Sequence, residues 1–208
     1  MPLEINEFFE WLTNFSSSPW FYWIVAVMAM LDAVLPIVPS ETIVIIGGVA
    51  AASSTADGSL NIVLVIACGA IGAFIGDNVS YAIGARASGF ITRRFTRTDI
   101  GRWKYESVVR QIRERGGVLL VTARFIPGAR TILTMTCGIT RQPRSWFVPW
   151  SITATTIWAT YASMLGFFGG RTFHDNATLA FGVAFGTAVS VTIVIEAIRW
   201  VLRRRVGT

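Results

Sequence analysis

Five ionisable residues stand inside apolar stretches of this chain, and their types and spacing suit the handling of an anion. Arg124 and Arg130 flank Pro127-Gly128 in VLLVTARFIPGARTILTMTCG. Asp32 and Glu41 flank Pro36, Pro39 and Ser40 in LDAVLPIVPSETIVIIGG. Asp77 lies in a third apolar stretch, four residues before Tyr81 and on the same helical face. Arginine stays charged and offers a planar fork of donors that matches phosphate. A half-helix starting near Gly128 would add free N–H groups and a positive dipole end. Arg124, Arg130 and Gly128 are therefore the candidate phosphate-binding residues. The competing reading pairs the arginines with Glu41 and Asp77 to hold the chain together.

Glu41 follows Ser40, a candidate N-cap, so it falls in the first turn of a half-helix. The dipole there favours the ionised acid, while burial favours the neutral one. An acid held between those pulls can load and release a proton. Glu41, helped by Asp32, is the candidate for proton coupling, with structural pairing as the alternative. Asp77 is expected to be the charge partner of an arginine. Tyr81 and Tyr161 are expected to be packing or interface residues.

These residues need elements that can hold charge in an apolar setting. Proline removes a backbone donor and clashes with the preceding turn, so each broken stretch must stop and restart as a helix at its prolines. Backbone freed at membrane depth is tolerated only inside protein or against a wet cavity. A charge at the bilayer centre costs about 2.5–3.5 kcal/mol on insertion scales, so such residues tend to line a path or a site.

Composition agrees. Of 208 residues, 53% are hydrophobic and 14% charged, against roughly 25% charged in a soluble domain. The chain reads as an integral membrane protein of one domain. Its net charge of +6 does not indicate nucleic acid, because the basic residues cluster beside apolar segments. Glu4, Glu7 and Glu10 stand where a cleaved signal peptide would have basic residues. Cys68 and Cys137 lie in apolar segments and read as small packing residues. No metal or cofactor framework is visible.

Along the chain, residues 1–18 read as an interfacial amphipathic helix, built on the apolar residues of 3–15. Residues 19–53 form the first broken segment, ending in a turn at 53–59. Residues 60–85 form a span, with Gly69, Gly72, Ala73, Gly76 and Ala82 as small packing positions. Residues 86–117 carry nine Arg/Lys against three acids and read as a cytoplasmic amphipathic segment ended by Gly116-Gly117. Residues 118–138 form the second broken segment, 145–170 and 177–201 two further spans, and 202–208 a basic tail.

Charge then decides topology. The 86–117 segment, the 139–145 loop and the C-terminus are all basic, so all three are expected on the cytoplasmic side. A simple span over 118–138 would put one of them outside. A re-entrant hairpin turning at Ile126-Pro127-Gly128 resolves the conflict, and 19–53 reads as a matching hairpin entering from the other face. Pro39 ahead of Gly47-Gly48 resembles Pro127 ahead of Cys137-Gly138, and Tyr81-Ala82 resembles Tyr161-Ala162. The expected fold is all-α and polytopic: two opposed re-entrant hairpins, about three full spans and an inverted repeat, a common plan for secondary transporters.

Three motifs resemble the DedA family of bacterial membrane proteins, related to the eukaryotic VTT-domain lipid scramblases. They are the acid–Pro–Pro–Ser–Glu string from Asp32 to Glu41, GDNVSYAIGAR around Asp77, and ARFIPGART around Arg124 and Arg130. Asp32 stands where the family more often has Glu, and ITRQPR at 139–144 replaces small apolar residues. The resemblance implies a multi-pass inner-membrane protein that recycles undecaprenyl phosphate or flips another phospholipid, driven by the proton motive force. It implies essential roles for Asp32, Glu41, Asp77, Arg124 and Arg130. Composition and spacing alone reach a transporter of something anionic, with the oligomeric state open, a homodimer included.

Other functions remain to be weighed. A proton-coupled small-ion antiporter needs the acids but not the arginine pair. A general phospholipid scramblase fits the resemblance. A non-transporting assembly factor would tolerate neutralising the buried charges singly. An enzyme is disfavoured, because the one histidine, His174, lies in a loop outside the broken segments, so a histidine-based site lacks its base. An aspartyl pair of Asp32 and Asp77 is the enzyme reading that the residues leave.

Overall fold

The computed structural model describes residues 20–35, 40–52, 60–95, 97–126 and 128–172. The expected amphipathic helix at 1–18, the turn at 53–59, the span at 177–201, the tail at 202–208, His174, and the breaking prolines Pro36, Pro39 and Pro127 lie outside those residues.

All regular structure among the described residues is α-helical: α1 (Trp20–Val34), α2 (Ser40–Ala52), α3 (Ile62–Phe95), α4 (Asp99–Ala123), α5 (Ala129–Ile139) and α6 (Arg144–Thr172). α1 ends two residues before Pro36 and α2 begins directly after Pro39, as the steric demands of proline require. At about 1.5 Å per residue, α1, α2 and α5 are about 16–23 Å long, short of a hydrocarbon core of about 30 Å.

α3 has 34 residues and is the one described helix long and apolar enough to cross a membrane. Asn61 starts it: its Oδ1 accepts from the Val63 amide at 2.8 Å. Ile71, Ile75, Val79 and Ile83 recur every four residues on its exposed face, while Asp77 and Ser80 are fully buried. That pattern is apolar outside and polar inside, which suits a lipid-facing helix.

No helix end falls at 85/86, since α3 runs on to Phe95. The next helix starts at a Thr98 N-cap, whose Oγ1 accepts from the Gly101 amide at 3.1 Å. Nor does Gly116-Gly117 end that helix: α4 continues through both to Ala123. The two glycines make room instead. A Cβ on Gly116 would lie 2.8 Å from the Trp146 ring, and one on Gly117 would run into the Trp150 ring. The pair is a seat for indoles from α6, not a stop.

The contacts sort into two compact units. Among the described residues, unit 1 takes 20–26, 40–52, 60–69 and 159–172, and unit 2 takes 27–35 and those from 70 to 158. In unit 1, α2 meets α6 through glycines: a Cβ on Gly48 would strike the Ser163 carbonyl, and one on Gly166 the Ile45 carbonyl. In unit 2, α5 meets α3 the same way: a Cβ on Gly138 would strike the Tyr81 carbonyl, and one on Gly84 the Met135 carbonyl. Unit 2 also holds a core of Tyr81, Ile112, Leu120, Cys137 and Phe147, with the Tyr81 and Phe147 rings 4.7 Å apart.

Candidate functional site

Four of the five ionisable candidates meet in unit 2. Their positions follow from the ends of short helices. The last turns of α4 tighten into i→i+3 bonds, from Arg124, Phe125 and Ile126 to Val121, Thr122 and Ala123, so Arg124 is the C-cap. Gly128 opens α5 at φ 75°, a left-handed conformation that glycine adopts without strain. Arg130 therefore falls in the first turn of α5, as expected. α4 and α5 pack against each other across this turn.

The end of α1 is fixed from two sides. The Ala33 carbonyl, one of the orphan acceptors at a helix C-terminus, takes bonds from Ser80 Oγ of α3 at 2.8 Å and Thr131 Oγ1 of α5 at 3.2 Å. Gly76 lets α3 approach, since a Cβ there would clash with Ala33 and Met30. These contacts bring Asp32 to Arg130 and set Asp77 facing inward.

Two ion pairs result. Arg124 Nη1 donates to Asp77 Oδ2 at 2.7 Å, with both side chains 2% exposed. Ser151 Oγ donates to the same oxygen at 3.0 Å, and the Arg124 guanidinium lies 5.5 Å from the centre of the Trp158 ring. Arg130 Nη2 lies 2.7 Å from Asp32 Oδ2, a charge contact in which Nη2 makes no aligned hydrogen bond.

Arg124 is not satisfied by its partner. Its Nε and Nη2 are buried and make no hydrogen bond among the described residues. Nε–H and Nη2–H form one edge of the guanidinium, the edge that binds a phosphate or carboxylate with two parallel bonds. Asp77 thus anchors one side of the group and leaves the bidentate side without a partner among the described residues. Asp77 Oδ1 is likewise buried without a partner.

Asp77, expected as an arginine's partner, pairs with Arg124. Asp32, expected beside Glu41 in proton coupling, lies against Arg130. Glu41 is exposed in the first turn of α2 and belongs to unit 1, as does buried Ser40. Tyr81 is buried and donates to the Gln142 carbonyl at 2.6 Å, a packing role. Ser151, Trp158, Ser80 and Thr131 were missed. Ser151 and Trp158 sit seven residues apart, two turns along one face of α6, and that periodicity was the available signal. No group of three or more metal-ligating side chains occurs among the described residues.

Comparison with known proteins completes the picture. The VTT domain matches residues 35–168. Inner membrane protein YohD of Escherichia coli is 30% identical over 170 residues, covering 79% of this chain and 83% of that protein. Undecaprenyl phosphate transporter A of Bacillus subtilis is 26% identical over 203 residues, covering 97% and 95%. The Staphylococcus aureus protein of the same name is 28% identical over 193 residues, covering 89% and 91%. No solved structure matches the chain significantly. The domain match runs through Glu41, Asp77, Arg124 and Arg130 and begins after Asp32, and the relatives are bacterial membrane proteins of similar length; this chain belongs to the VTT-domain (DedA) family of membrane proteins.

Proposed function

We propose that the protein carries a lipid phosphate across the membrane, with undecaprenyl phosphate as its substrate. One observation carries this reading: a buried arginine whose bidentate edge is unmet. Pairing with Asp77 accounts for Nη1 of Arg124 but not for Nε and Nη2. A phosphomonoester would take both, and the first turn of α5, with Arg130 and Gly128, adds a positive dipole end. The names of the Bacillus and Staphylococcus relatives support the choice of lipid. A small-ion antiporter does not call for such an edge.

The short helices α1, α2 and α5 support two re-entrant hairpins. The matched glycine contacts support the inverted repeat: Ile45 and Gly48 on α2 correspond to Met135 and Gly138 on α5, and Ser163 and Gly166 on α6 to Tyr81 and Gly84 on α3. In this register Tyr81 matches Ser163 rather than Tyr161. Asp32 is the release device. It occupies Arg130 between cycles, and protonation of Asp32 would free Arg130 for the incoming phosphate. Glu41, exposed at the start of α2, is the other candidate for proton coupling. The membrane is the bacterial inner membrane, with the C-terminus cytoplasmic.

The test is flipping of a fluorescent undecaprenyl phosphate analogue in proteoliposomes, with and without a pH gradient. Native protein is expected to flip the lipid faster with the gradient, Arg124→Ala to lose flipping, and Glu41→Gln to lose the response to the gradient. Full flipping by folded Arg124→Ala would overturn the phosphate site.

A further inference from the structure

Away from the ion pairs, at the far end of α3, Gly89, Phe90, Arg93, Arg94 and Arg97 line a concave surface of about 520 Å³. All three arginines are exposed, and Phe90 is 77% exposed. None of the three has an acid within ion-pair distance among the described residues. Gly89 and Arg93 are four residues apart, as are Phe90 and Arg94, so glycine and ring lie one turn from the cations above them.

Gly89 needs an explanation. Glycine weakens a helix interior, and it persists where backbone must come close to something. Gly48, Gly76, Gly84, Gly138 and Gly166 each face protein that a Cβ would strike. Gly89 faces nothing within 4 Å. It keeps the floor of the arginine pocket low without serving any packing inside the described chain.

We infer that this pocket binds the headgroup of an anionic membrane phospholipid, a phosphodiester without a compensating amine, as in phosphatidylglycerol. The candidate membrane helix runs from Ile62 to Arg94, about 50 Å at about 1.5 Å per residue against about 40–45 Å for a bilayer with its headgroups, so its last turns stand at the headgroup surface. Clustered arginines beside a span attract anionic lipid. Phe90, a turn nearer the apolar part of the helix, gives the upper acyl chain a surface, which a soluble phosphate would not use. The site holds a bilayer lipid and is separate from the transport site.

The experiment is thermal unfolding of the full chain in neutral detergent with added phosphatidylglycerol, phosphatidylcholine or inorganic phosphate. Phosphatidylglycerol about tenfold above its Kd is expected to raise Tm by roughly 3–6 °C. The other two are expected to leave it unchanged. The triple variant Arg93→Gln, Arg94→Gln, Arg97→Gln and, independently, Gly89→Leu are expected to remove most of that rise. Gly89→Leu points into open space and is expected to keep the Tm of the lipid-free protein. A full rise in Gly89→Leu would overturn the pocket, and an equal rise with inorganic phosphate would overturn the lipid.

Discussion

Asp32 and Arg130 each sit at the wrong end of their own helix, and each corrects the other. Asp32 lies in the last turn of α1, where the dipole is negative, and Arg130 in the first turn of α5, where it is positive. Their 2.7 Å contact brings opposite charges together across two unfavourable dipole ends. A pair chosen only for stability would be reversed. The arrangement instead concentrates positive charge from Arg130 and the α5 dipole at one point, and Asp32 balances it.

The charge-reversed double variant Asp32→Arg, Arg130→Asp tests this directly. Each residue would then suit its helix end, so the fold is expected to be at least as stable as the native one, by Tm in detergent. Asp32→Asn alone leaves Arg130 uncompensated and is expected to cost about 1–3 kcal/mol, the low side of a buried pair because Asp32 is partly exposed. Flipping is expected to be lost in the double variant. Retained flipping there would reduce the pair to a structural clamp.

For Arg124 the informative change is to Lys. Lysine can keep the charge against Asp77 but has no second edge of donors. One lost charge-assisted bond is worth about 1.5–3 kcal/mol, so flipping is expected to fall about 10- to 100-fold. Stability is expected to fall less than in Arg124→Ala, which leaves Asp77 buried without its cation. Equal flipping by the Lys variant, in the same proteoliposome assay, would show that charge alone suffices.

Much of this site was legible in the sequence, and the misses share a cause. Proline and glycine at 127–128 announced the break, and ionisable side chains in apolar runs announced the residues. Which acid meets which arginine was not legible, because Asp32 reaches Arg130 only through the Ala33 carbonyl held by Ser80 and Thr131 from two other helices. The basic run that begins at Arg86 does not end α3, which continues to Phe95, because a helix stops for backbone reasons and not for an exposed charge on one face. Gly116-Gly117 was read as a stop, yet the Trp146 and Trp150 rings explain both glycines. Glycine marks close approach as readily as a cap, and sequence alone does not show which neighbour approaches.

The glycine contacts themselves give a graded prediction. Gly48→Ala and Gly138→Ala place a methyl against a backbone carbonyl, which cannot rotate away. Each is expected to cost about 1–3 kcal/mol by overpacking. Gly69→Ala meets Ala159 Cβ at 3.5 Å, an ordinary contact, and is expected to be neutral or stabilising by up to about 1 kcal/mol. Thermal unfolding of the three variants checks the order; equal effects would show that the helices do not rely on close approach.

Arg141 offers the opposite case, a position where glycine is absent but suited. α5 ends in a Schellman motif: the Gln142 amide bonds the Cys137 carbonyl at 3.0 Å, and the Arg141 amide bonds the Gly138 carbonyl at 3.0 Å. That closure holds Arg141 at φ 50°, in the left-handed region that glycine occupies without steric cost. Gly at this position is expected to stabilise the protein by about 0.5–1 kcal/mol, read as a rise in Tm. The neighbouring Arg144 stays over the Tyr81 ring at 5.6 Å, so the turn keeps a cation beside that residue. A fall in Tm for Arg141→Gly would mean that the arginine side chain contributes more to this turn than its backbone strain removes.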